Sequence, residues 1–173
     1  MLIVDRDVFA IECYHEAIPD GSRSVFGRMC VWAGGHRLGD INEPACMLNV
    51  SECRLQSHLR RLYSVDDQSV LRGLSDRDAF DYIDRMLYLD HGKRSDERVS
   101  MDWQRWCGFD FLTNGGESFD RTKSFIVGDG ESLRILFEDE ASGFRSARVP
   151  HKVFAHVVQE FLKWVAKESE STC

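Results

Sequence analysis

The sequence predicts an α+β fold: a mainly antiparallel sheet of hairpins and a meander, packed against a few helices, the last of them an amphipathic C-terminal helix. Three observations carry this prediction. Short apolar or alternating runs separated by Gly, Pro and Asp recur near the N-terminus and again beyond residue 120. Between them, apolar residues recur at helical spacing, and the closing segment presents a wide apolar face. At 173 residues the chain has the size of one domain, 1–173, which buries roughly 70% of its unfolded surface. Residues 168–173, beyond Lys167, are expected to form a disordered tail.

Met1–Val4 and Val8–Tyr14 read as short extended pieces broken by Asp5-Arg6-Asp7, and Pro19, Asp20 and Gly21 supply a turn. Val25–Ala33 suits a half-buried strand, and Gly34-Gly35 before His36-Arg37-Leu38-Gly39 is a hairpin signal. Met47–Val50 reads as a further short strand. Ser51 then opens a helix to Tyr63, with Leu55, Leu59 and Leu62 on its apolar face.

Ser75 with Asp78 three residues on resembles a capping box, and Ala79, Phe80, Ile83, Met86 and Leu87 form the stripe of a helix over Ser75–Leu89. Gly92–Val99 is charged and reads as a loop. Trp103, Trp106, Phe109 and Phe111 follow in a less regular stretch, as core or as interface. Lys123–Val127, Ser132–Phe137 and Phe144–Val149 form a meander, with Gly128-Asp129-Gly130 as a tight turn and Glu138–Gly143 as a loop. Pro150 precedes the helix His151–Lys167, whose Val153, Phe154, Val157, Val158, Phe161, Leu162 and Val165 face the sheet. Trp32 and Phe161 are expected in the core.

The formal charge of −7 repels phosphate backbones and favours cationic partners, so no nucleic-acid partner is expected. Six scattered cysteines without a CxxC pair point to free thiols in a reducing cytoplasm. No run of apolar residues is long enough to span a bilayer, so no membrane partner is expected.

Chemical motifs are missing. Six histidines include no HExxH spacing, and neither GxSxG, a Walker loop nor GxGxxG occurs. No catalytic residue, metal or cofactor is therefore expected. Asp78, Asp81 and Asp84 line one helix face and Glu138, Asp139 and Glu140 form an acidic run. Such carboxylates usually meet water, and their density makes them the candidate surface for a basic partner. Two other readings stay open: an enzyme whose site is assembled from scattered residues such as His36, Asp40 and Asp81, and a regulatory adaptor using the acidic helix.

Phe9-Ala10-Ile11-Glu12, then Gly27-Arg28-Met29-Cys30-Val31-Trp32, then Gly35 and Leu38-Gly39-Asp40 resemble the start of immunity-protein family forty-two of bacterial polymorphic toxin systems. The resemblance extends through the meander and the last helix with Phe161 and Trp164, and does not cover about Ser64 to Asp102. It implies a non-enzymatic cytoplasmic protein, encoded beside a secreted or contact-delivered toxin, that binds and blocks the toxin's C-terminal domain. It carries no catalytic residues, and homodimer formation stays open.

Overall fold

The computed structural model describes residues 2–16, 24–62, 69–89, 92, 94–140 and 142–171; the expected turn at Pro19–Gly21 lies outside them. Two antiparallel sheets form, with helices around them, as the α+β reading expects. The first sheet runs β1 (Leu2–Asp5), β2 (Phe9–His15), β3 (Phe26–Ala33), β4 (His36–Leu38), and β5 (Cys46–Met47) pairs with the start of β3. Gly34 and Gly35 have φ of +59° and +78°, which supplies the positive-φ pair that a two-residue hairpin requires between β3 and β4.

Register sets the faces of this sheet. Phe9, Ile11 and Cys13 oppose Ala33, Val31 and Met29 and look into the core, while Ala10, Glu12 and Tyr14 oppose Trp32, Cys30 and Arg28 on the other side. Trp32 is therefore half-buried on that outer face, contrary to the core expectation. Its Nε1 donates to Glu12 Oε2 at 3.0 Å, and the Arg6 guanidinium lies 4.7 Å from its ring centre.

The second sheet runs β6 (Thr122–Asp129), β7 (Ser132–Asp139), β8 (Gly143–Pro150), the expected meander. Its near-continuous apolar runs Phe125-Ile126-Val127 and Ile135-Leu136-Phe137 are those of a sheet covered on both faces. Ile126, Ile135, Phe137 and Val149 join the first sheet's inner face in one core. Phe125, Val127 and Leu136 join Phe80 and Ile83 in a second core on the opposite face.

Helix α1 (Leu48–Arg61) begins where a strand was expected. The Val25 N–H donates to Asn49 Oδ1 and the Leu48 N–H donates to Val25 O, which ends the pairing with β3 and turns the chain into a helix ahead of Ser51. Ser51 is consequently buried within the helix, where its hydroxyl donates to Gly115 O. After the single turn α2 (Ser69–Arg72), α3 (Asp76–Leu87) starts as expected, with the Asp78 N–H donating to Ser75 Oγ at 3.2 Å.

The charged stretch read as a loop instead opens a helix, α4 (Asp96–Trp106). Ser95 caps it, Asp96 and Glu97 occupy its first turn, and Arg94 and Arg98 both pair with Asp102. Trp106, Phe109 and Phe111 are core residues, whereas Trp103 is 42% exposed. Finally α5 (His151–Ser171) lays Phe154, Val157, Val158, Phe161 and Val165 on the first sheet and α1. It continues beyond Lys167 to Ser171, so the expected tail is helical over residues 168–171.

Candidate functional site

The six acidic residues singled out by sequence do not form one surface. On α3, Asp78 accepts from the Ser75 hydroxyl at 2.6 Å as part of the cap, and Asp81 pairs with Arg77 at 2.9 Å. The same Arg77 reaches across to Glu138 at 2.7 Å, tying α3 to β7. Asp84 is only 9% exposed and pairs with Lys123 at 2.7 Å, so it is a tie to β6 rather than an open helix-face carboxylate. Glu138 and Asp139 lie within β7, and only Glu140 falls in the turn that follows, because the strand extends into the acidic run.

Strand alternation then divides that run. Glu138 follows Arg134 and Leu136 toward the helices, whereas Asp139 follows Ile135 and Phe137 toward the first sheet. Asp139 and Glu140 thus reach a groove of about 700 Å³ where the rim of β4 meets the β7–β8 turn and the segment entering β6. A 3-10 turn at Glu117–Phe119 forms another part of its wall.

Gly39 makes this corner possible. Its φ is +87°, and a Cβ there would sit 2.7 Å from the Phe119 ring, so the backbone after β4 can lie against that turn only as glycine. The Asp40 N–H then donates to Ser118 O at 2.7 Å.

The groove's anchored carboxylates are held ionised. Asp40 is held below the usual carboxylate range by the backbone N–H of Asn42, helped by its side-chain amide. Glu117 is likewise held low, by its own backbone N–H and that of Met47, which donates to Oε2 at 3.0 Å. Such groups are fixed anions, and a proton shuttle at neutral pH needs the opposite displacement. Among the described residues no cluster of His, Cys, Asp and Glu is arranged to hold a metal ion.

His36 and Asp40 of the scattered-site reading do share this groove, and Asp81 does not, because it lies on α3 beside Arg77. The remaining groove acids, Glu43, Glu117 and Asp120, were not singled out by sequence. Glu43 lies in the loop after β4, and Glu117 and Asp120 lie in and just after the 3-10 turn that precedes β6, with no periodicity or motif joining them, and only the Gly39-Asp40 step marks the place.

The crystal structure of CdiI from Burkholderia dolosa AUO158 has a similar fold, with a TM-score of 0.65 and 19% identity, covering 95% of this chain and 99% of that one. No curated protein matches the chain. The profile of immunity protein 42 matches residues 1–164, a span that takes in both sheets, the groove and most of α5, and the chain therefore belongs to the immunity protein 42 family.

Proposed function

We propose that this chain is a non-enzymatic immunity protein that acts in the cytoplasm by binding a cognate toxin domain encoded beside it and blocking that domain. Membership of the immunity protein 42 family over residues 1–164 carries the reading. The likeness in fold to a CdiI protein supports it. The net charge of −7 adds that a cationic toxin would be drawn in by the long-range field, which raises the rate of encounter. Among the described residues, no helix is long and apolar enough to cross a membrane.

The reading is tested by expressing the toxin domain of the adjacent gene with and without this chain. Growth arrest relieved by the intact chain, together with a stable complex of the purified pair, is the expected result. Continued arrest and no complex would overturn it.

The enzyme reading draws on one observation, the convergence of His36 and Asp40 in the groove. Against it stand the lowered pKa values of Asp40 and Glu117, which suit anions offered to a cation better than a general base. A His36→Ala variant that still protects fully would separate the two readings.

A further inference from the structure

Taking the immunity reading as its basis, we propose that the open edge of β8 is the surface that takes the toxin domain, by accepting an extended segment of it as a further strand of the second sheet. The starting point is which backbone groups of β8 face away from β7. Just past the last strand pair, the His151 N–H donates to Glu131 O at 3.0 Å, straight across the two chains in the register that sets Ser132 against Pro150. In an antiparallel pair, bonded and non-bonded positions alternate. Val149, Ala147 and Arg145 therefore bond to β7, and Phe144, Ser146 and Arg148 turn their N–H and C=O groups outward. Pro150 falls on the outward series, where a missing N–H costs the ladder nothing.

The opposite edge of this sheet is closed. There Ser124 of β6 turns outward, its C=O accepting from the Phe111 N–H and its N–H donating to Thr113 Oγ1, both at 2.9 Å. In the first sheet the outer strands β1 and β4 are only four and three residues long. Short or covered strands are the usual protection of a sheet edge. Strand β8 has neither protection, for it runs over eight residues. Among the described residues, nothing bonds to the N–H of Phe144, Ser146 or Arg148, or to the C=O of Ser146 or Arg148. The Phe144 C=O is taken, by Arg145 Nη1 at 2.7 Å. Phe144 and Ser146 are half-buried and Arg148 and Pro150 exposed, as expected where solvent reaches the margin of a sheet.

This row of main-chain groups defines its ligand. Donors and acceptors recurring at every second residue are matched by another extended main chain, which repeats both groups at the same interval. The flanking side chains select the segment. On the α3 side the Phe144 ring lies 5.4 Å from that of Phe80, next to the short Ser146, and pairs with an apolar side chain of the incoming strand. On the other side Arg145 favours a carboxylate or amide across from it. A second copy of this chain is the poorer occupant, because two β8 strands would set Arg145 and Arg148 of both along one seam, between bodies that each carry a charge of −7.

The experiment uses the full chain and the toxin domain of the adjacent gene. Ser146→Pro removes an outward N–H and sets a ring on the open edge without deleting a bond to β7, whereas Ser146→Ala leaves the main chain as it is. The proline variant should bind the toxin domain at least about tenfold more weakly, and the alanine variant should stay within about twofold of wild type. Residue-resolved amide exchange gives a second readout on wild type, which decides alone if Ser146→Pro fails to fold. In the free chain the Ser146 and Arg148 amides should exchange fast and those of Arg145 and Ala147 slowly, and in the complex all four should be slow. Wild-type affinity in Ser146→Pro, or Ser146 and Arg148 amides that stay fast in the complex, overturns the edge while leaving the immunity reading standing. A chain that is dimeric alone and made monomeric by Ser146→Pro gives the edge to a second copy and overturns it too. A wild-type chain that neither binds nor protects overturns both.

Discussion

Glu138 and Asp139 are adjacent in β7 and face opposite sides of the second sheet: Glu138 meets Arg77 of α3 at 2.7 Å, while Asp139 opens into the groove opposite Thr122. A single residue of register therefore assigns one carboxylate to an internal tie and its neighbour to the open surface.

The same distinction predicts opposite outcomes for two aspartates on α3. Asp84→Lys sets a second ammonium group beside that of Lys123 at a position 9% exposed, and should cost about 1–3 kcal/mol, discounted because Lys123 is itself partly exposed. Asp81→Lys should cost under about 1 kcal/mol, since its pairing with Arg77 is solvent-exposed. Urea denaturation of each variant checks this, and equal losses would mean that Asp84 is not the tie described.

Phe154 lies with its ring centre 5.2 Å from Phe9 and 6.3 Å from Phe111, joining α5 to the first sheet and to the chain before β6. Phe154→Ala should cost about 3–5 kcal/mol, and Phe161→Ala a similar amount, because both are fully buried. Trp32→Ala should cost less, since its side chain is only partly buried, on the outer face of the sheet. The order of denaturation midpoints decides whether the outer sheet face is as open as it stands here.

Gly27 lies in β3 with negative φ, so its requirement is space. An added Cβ would collide with Tyr14 O, inside the β2–β3 ladder. Gly27→Ala must push the strands apart and should cost about 3 kcal/mol, at the upper end of overpacking losses. A variant melting within a degree or two of wild type would show that the ladder yields there.

His58 supplies a pH prediction. Burial lowers its pKa from 6.5 to about 4, and its Nε2–H donates to Asp110 O at 2.9 Å, so the folded chain holds it neutral. The unfolded chain takes up the proton at a higher pH than the folded one. Stability should therefore be unaffected by this group above about pH 6.5 and fall as pH drops from there toward 4, by about 3 kcal/mol in all. Carboxylates held low in the fold add their own loss further into acid. The difference between wild type and His58→Gln isolates the histidine, and parallel pH profiles would refute the assignment.

Most of the fold was legible because local signals and tertiary demands agreed. The Gly-Gly hairpin, the Ser75 cap, the meander and the apolar face of α5 each announce themselves over a few residues. Helix α4 was missed because it lies on the surface with few buried side chains, so the hydrophobic period is faint, although Ser95 followed by Asp96 and Glu97 is a serviceable cap. The start of α1 was misplaced because a long-range bond, Asn49 to Val25, fixes it. The groove was hardest to foresee: its acids come from three separate stretches, and nothing in the spacing of Asp40, Asp120 and Glu140 brings them together.

That assembly from distant stretches ties the surface to the completeness of synthesis. One lip follows β4, the facing lip is the β7–β8 turn, and the wall between them precedes β6, so a nascent chain that has not yet emerged past β8 has no groove at all. The corner is therefore among the last features of the chain to take shape, after every element but α5 has been made.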